Sequence, residues 1–186
     1  MLPSVVDPYR VSDMKALIDW PAVQSLSSAD LILEPLQVKH AEEMAPLLDD
    51  ARLHTYIGGE PALQPRLRER YRRQVVGHSA DGAQLWFNWV LRRKDTKRAV
   101  GYVQATVSTE DDAVVAEVAW VVASAHQGRG YARQGSATMV KWLGEAGADR
   151  IIAHVHPDHP ASVAVARAIG MCATETVIDG EVRWVT

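Results

Sequence analysis

Residues 116–132 constrain the fold more than any other stretch of this 186-residue chain. Ala116-Glu117-Val118-Ala119-Trp120-Val121-Val122 reads as a buried strand. It runs through Ala123-Ser124-Ala125-His126 into Gln127-Gly128-Arg129-Gly130-Tyr131-Ala132, a glycine-bearing loop that opens a helix. The first N–H groups of a helix have no internal partners and sit at the positive end of its dipole, which suits a phosphate. Gly128 and Gly130 let the backbone approach a diphosphate and take up unusual dihedrals. Two other phosphate loops do not fit. No lysine follows these glycines before Lys141, and Gln134 stands where the dinucleotide pattern G-x-G-x-x-G ends.

The helix, expected from about Gly130 to Glu145, carries Ala132, Gly135, Ser136, Met139, Val140 and Leu143 as one stripe. Small residues in its first turns allow close approach to a sheet, and Gly144 and Gly147 are its candidate terminators. Before the loop, strands are expected at 31–36, 84–91, 99–107 and 113–122, with a charged hairpin at 92–98. A helix from about Val38 should be bent or shortened by Pro46. Gly58 to Pro61 marks a break, and residues 64–76 form an amphipathic helix with Leu67, Tyr71 and Val75 inward and arginines outward. After the loop come a strand at 150–156, a helix at 160–169 and strands at 173–178 and 182–185. The fold class is α/β in the α+β sense: a mixed, mostly antiparallel sheet of six to seven strands covered by helices. Residues 1–29, with an amphipathic piece of Met14, Leu17, Ile18 and Trp20, read as an appendage or partner-contacting arm on a domain of 30–186.

Composition excludes several classes. With 20 basic and 23 acidic residues the net charge is −3, so no general affinity for nucleic acid is expected. No apolar run reaches the roughly 18 residues of a membrane span, and no signal peptide is evident. The single cysteine, Cys172, excludes a disulfide framework, reads as a small core residue and fits a cytoplasmic location.

Taken together, these residues resemble the GNAT superfamily of acetyl-coenzyme A-dependent N-acetyltransferases. Gln127, Gly130 and Ala132 meet its [QR]-x-x-G-x-[GA] signature directly after a strand. Residues 162–171 are similar to its later helix, and Leu31-Ile32-Leu33-Glu34-Pro35-Leu36 is similar to the L-x-L-R-P-L opening of the branch with ribosomal-protein N-terminal acetyltransferases, with Glu34 in place of arginine.

The resemblance implies a splayed strand pair that holds the pantetheine arm along Trp120, Val121 and Val122. It implies a diphosphate on the amides of Gln127, Gly128, Arg129, Gly130, Tyr131 and Ala132, with the side chains of Arg129 and Tyr131 free to vary. Arg129 or Arg133 is available to add charge. Acetyl-CoA is then the co-substrate and a primary amine the acceptor: a protein N-terminus, a lysine or a small amine. Glu117 is the candidate general base, and the amide of Val121 or Val122 the candidate oxyanion donor. The family's tyrosine acid falls on Ala166, which leaves Ser162 as the candidate donor to the departing thiolate, and its asparagine falls on His159.

Trp86 and Asn88 share one strand face and Trp89 lies on the other; one tryptophan is expected in the core, and the Trp86 and Asn88 face lines either the acceptor pocket or the core. His154, His156 and His159 allow a metal, an acid–base or a purely structural reading; no metal is expected. The rival function is a non-catalytic acyl-CoA-binding or regulatory domain on the same fold. Oligomeric state is open, a homodimer included.

Overall fold

The computed structural model describes residues 20–57, 61 and 63–186. In chain order its elements are β1 (Leu26–Ser27), β2 (Leu31–Pro35), α1 (Ala41–Leu48), α2 (Ala51–Ile57) and α3 (Gln64–Gln74). There follow β3 (Leu85–Arg93), β4 (Ala99–Glu110), β5 (Ala113–Val122), α4 (Tyr131–Ala146), β6 (Arg150–Val155), α5 (Pro160–Ala168), β7 (Cys172–Ile178) and β8 (Glu181–Val185). Residues 1–19, which hold most of the expected arm, and Gly58 to Glu60 of the expected break lie outside the described residues.

The strands form one sheet in the order β1-β2-β3-β4-β5-β6-β8-β7. Every neighbouring pair is antiparallel except β5 and β6. Eight strands are present among the described residues where six to seven are expected, because the two-residue β1 pairs with β2. The β4–β5 turn is Asp111-Asp112, both at positive φ (49° and 63°), the backbone twist a two-residue hairpin requires.

Alternation along the strands splits the core in two. One face carries Leu31, Leu33, Trp89, Leu91, Val103, Ala116 and Val118 against Met139, Leu143 and Ala166 of α4 and α5. Trp142 of α4 is its aromatic centre, with ring centroids 5.1 Å from Phe87 and 5.4 Å from Trp89. Trp20 joins at 5.6 Å from Phe87, and the Trp89 indole N–H donates to the Gln24 carbonyl (2.8 Å). The other face packs Val90, Ala99 and Val121 against Met44, Leu48, Leu53, Leu67 and Tyr71 of α1–α3.

Four sequence expectations change. Val75 caps α3 and is exposed (43%), because the helix ends before that turn can bury it. Cys172 is exposed on the edge strand β7 rather than in the core; Met171 takes the buried place beside it. Tyr131 is not free to vary: it is buried in the core at the start of α4. Pro46 lies inside α1, which stops at Leu48, and α2 follows as a separate short helix not anticipated from the sequence.

Glu34, the departure from L-x-L-R-P-L, has its cation across the sheet. Arg92 Nε lies 2.6 Å from its Oε2, and Arg92 Nη2 lies 3.0 Å from Glu43 Oε2. Glu43 Oε1 also accepts from the Ala99 amide (2.8 Å), which ties α1 to the start of β4. Burial opposes ionisation of Glu34, but the Arg92 guanidinium outweighs it and holds the carboxyl below its usual range. His40, buried beside this cluster, is pushed down by desolvation despite Glu34.

Candidate active site

A gap opens in the sheet where β5 and β6 part. Their parallel pairing runs from Val115↔Arg150 to Glu117↔Ile152 and goes no further, although β5 continues to Val122 and β6 to Val155. The β4–β5 register is regular from Gly101↔Val122 to Glu110↔Ala113, and the Ala123 amide donates to the Val100 carbonyl (2.9 Å). Alternation therefore turns the Ala119 and Val121 backbone groups toward β4 and those of Val118, Trp120 and Val122 toward the gap. Of the two amides considered for an oxyanion, Val122's faces the gap.

The loop above the gap is built by its own side chains. Gln127 Nε2 donates to the Val122 carbonyl (3.0 Å), so the signature glutamine anchors the loop to the end of β5. Gly128 and Gly130 stand at φ 74° and 76°, the left-handed region, and Gly130 is the N-cap of α4. A Cβ on Gly128 would meet nothing within 4 Å, and one on Gly130 only Arg133 Nη2 at 3.9 Å. The constraint there is dihedral, and the approach to the helix start is open. Arg129 and Arg133 are exposed beside it. Burial holds His126 below its ordinary value, reinforced by Arg129 and Arg93, so it adds no charge at neutral pH.

Close packing fixes where α4 begins. A Cβ on Gly135 would lie 2.7 Å from Leu91 Cδ2, so α4 rests on β3 through bare backbone. Gln134 accepts from the Asp30 amide (3.1 Å) and donates to Asp30 Oδ2 (2.8 Å), strapping the helix to the β1–β2 turn. A Cβ on Gly101 would stand 2.1 Å from the Val121 carbonyl oxygen, so β4 can lie against the upper part of β5 only with glycine there.

The sheet face opposite α4 carries the remaining candidates in register. Asn88, Gln104 and Ala119 form one rung; Trp86, Thr106 and Glu117 form the next. Asn88 lines a cavity of about 230 Å³ with Leu36, Tyr71, Gln74, Tyr102 and Gln104. Gln74 Nε2 donates to Asn88 Oδ1 (3.2 Å). Burial pushes the Tyr71 phenol up to about 12 and raises Tyr102, so both hydroxyls stay protonated. Trp86 shares the face but lines a separate apolar cavity with Trp20, Leu85 and Phe87. Trp89, on the other strand face, is the fully buried core tryptophan of this strand.

Glu117 is 53% exposed at the foot of the gap, and its Oε1 lies 2.9 Å from His154 Nδ1 on β6. Ser162 is half-buried in the first turn of α5, and its amide donates to Nδ1 of His159, the N-cap of that helix (3.0 Å). His159 therefore performs the acceptor role of a capping asparagine. Ala166 is wholly buried in the core. Among the described residues no three His, Cys, Asp or Glu side chains gather to hold a metal ion, and no helix is long and apolar enough to cross a membrane. Sequence reasoning missed the Glu117–His154 pair, Gly101 and the cavity face of Gln104 and Tyr102. No local pattern marks the first, which depends on the offset between β5 and β6.

No protein of curated function matches the chain by sequence. Solved structures do match it in fold. An acetyltransferase of the GNAT family from Bacillus anthracis superposes with a TM-score of 0.69 at 17% identity, covering 88% of this chain and 98% of that one. RimL, a ribosomal L7/L12 α-N-protein acetyltransferase in complex with coenzyme A, gives 0.71 at 16% identity, covering 88% and 97%. The Salmonella typhimurium acetyl transferase that modifies the N-terminal serine of L7/L12 gives 0.70 at 15%, covering 88% and 98%. The model of the acetyltransferase (GNAT) domain matches residues 30–172, which span the gap, the loop and both helices beside it. On that match this chain belongs to the GNAT family of acetyl-CoA-dependent acetyltransferases.

Proposed function

We propose that residues 30–186 transfer an acetyl group from acetyl-CoA to a primary amine that enters over the Asn88–Gln104 face. The observation that carries this reading is the end of β5–β6 pairing at Glu117↔Ile152, which exposes backbone beneath an open helix N-terminus. Acetyl-CoA, when bound, supplies an acyl thioester open to direct attack. The amides from Gly128 to Ala132 hold its diphosphate, with Arg129 and Arg133 placed to add charge. The free amide and carbonyl of Trp120 and the amide of Val122 pair with its pantetheine arm.

An alkylammonium with a pKa near ~10.4 must lose a proton before it attacks. Glu117 takes that proton, directly or through water, from a site exposed enough to pass it to solvent. The freed amine nitrogen attacks the thioester carbonyl, forming the N–C bond. Ser162 returns a proton to sulfur as the C–S bond breaks. The acceptor is a protein N-terminus, a lysine or a small amine, held by the carboxamides of Asn88 and Gln104, with Trp86 at the rim. Cys172, the only cysteine, fits a reducing compartment such as the cytoplasm.

Thiol release from acetyl-CoA across a panel of amines tests the reading. Amine-dependent release, lost in Glu117→Gln with acetyl-CoA affinity intact, is expected. Binding without release for any amine contradicts it and favours a regulatory acyl-CoA-binding role.

A further inference from the structure

Glu117 carries a second constraint that the reaction alone does not require. Its Oε1 lies 2.9 Å from Nδ1 of His154, which sits two residues beyond the last β5–β6 pair, on the same sheet face. His154 thus bridges the two strands where backbone pairing has ceased. The side chain is only 19% exposed, and its Nε2 is buried with no hydrogen-bond partner among the described residues.

These facts fix the tautomer. A carboxylate only accepts hydrogen bonds, so the nitrogen facing it must carry the proton. Nδ1–H therefore donates to Glu117, and Nε2 keeps its lone pair. A second proton at Nε2 would be a buried donor without an acceptor. The charged and titratable neighbours stand on β6 itself and on the strands to either side. Arg183 on β8 stands opposite His154 in the register, with its Nη2 on Glu110 Oε2 of β4 (2.8 Å). Arg150 and His156 share the β6 face, and Glu117 is the carboxylate on β5.

Resting on the reading of Glu117 as the base, we infer that His154 is its positioning residue: an imidazole whose Nδ1–H holds the carboxylate aimed into the gap, without carrying the reaction's proton itself. Glu117 accepts the proton from the acceptor nitrogen and releases it to solvent; Nδ1–H stays on His154 throughout.

Three variants and one spectrum test this. His154→Ala should lower kcat about tenfold. It should leave the acetyl-CoA KM unchanged, so that the loss falls on kcat alone. His154→Asn, whose amide N–H takes the place of Nδ1–H, should restore most of the rate. An Asn variant as impaired as Ala would overturn the inference in favour of a proton relay through Nε2; an Ala variant with the wild-type rate would overturn it altogether. Glu117→Gln separates the two layers: if it keeps the wild-type rate, the base assignment itself fails. Imidazole 15N NMR of the unliganded wild-type protein, which depends on no activity, should show His154 protonated at Nδ1 and bare at Nε2. The reverse tautomer contradicts the proposal.

Discussion

Single residues at the loop set both shape and chemistry, and they differ in how far they can be read from the chain. Gly130 stands at φ 76° as the α4 N-cap, a conformation that costs an L-residue roughly 1–2 kcal/mol. Gly130→Ala should therefore lower stability by about 1 kcal/mol and weaken acetyl-CoA binding more than that, since the strained loop turns its amides away. Thermal melts and calorimetric titration measure the two separately; unchanged affinity contradicts the placement of the diphosphate. Gly128 and Gly130 were legible because left-handed turns and helix starts have local residue preferences, and Gln127 only through its place in the family signature it resembles. The 2.9 Å contact between Glu117 and His154 was not, because it depends on how far β6 slides along β5, and no local pattern encodes that offset.

At the scale of elements, the gap exists because β4 and β5 stay together while β5 and β6 separate. Gly101 is the hinge of that arrangement, with backbone rather than a flexible side chain standing 2.1 Å from where its Cβ would be. Gly101→Ala should cost about 3 kcal/mol or more, above the ordinary range for overpacking, because the Val121 carbonyl can move only if β5 leaves β4. Gly135→Ala should cost less, about 1 kcal/mol, since Leu91 Cδ2 can turn aside and alanine favours the helix. Chemical denaturation of the pair checks the order; equal costs contradict it. The meander β3–β4–β5 and the α4 stripe were readable from periods of two and 3.6. The short α2 and β1 were not, since neither carries enough residues for a period to show.

For the whole molecule, the aromatic centre at Trp142 joins α4 to β3, and the Arg92 cluster ties β2, α1 and β3 together. Arg92 contacts Glu34 and Glu43 while only 18% exposed, and removing it leaves two carboxylates facing each other. Arg92→Met should lower stability by about 1–3 kcal/mol, below the full value of a buried pair because Glu34 and Glu43 are partly solvated. The same region sets a pH response. Desolvation holds folded His40 below its ordinary 6.5, so the unfolded chain binds that proton first. Its contribution is full above that value and is lost as pH falls through the range below it. Glu34 and Glu43, held below their ordinary 4.5, lose their share only in more acid solution. Tm should thus fall between about pH 7 and pH 5, and His40→Gln should flatten that slope in part, His126 acting in the same direction. A slope unchanged by the substitution contradicts the assignment. The fold class was legible because an antiparallel run followed by alternating strands and helices admits few sheets. The Glu34–Arg92 pairing was not, since it joins residues far apart in the chain.

The central claim concerns where the coenzyme lies, and a crystal structure with acetyl-CoA tests it most directly. The expected density places the diphosphate on the amides of residues 128–132 and threads the pantetheine between β5 and β6, bonded to the Trp120 and Val122 backbone. A ligand bound elsewhere, with β6 zipped onto β5 beyond Glu117, would contradict it.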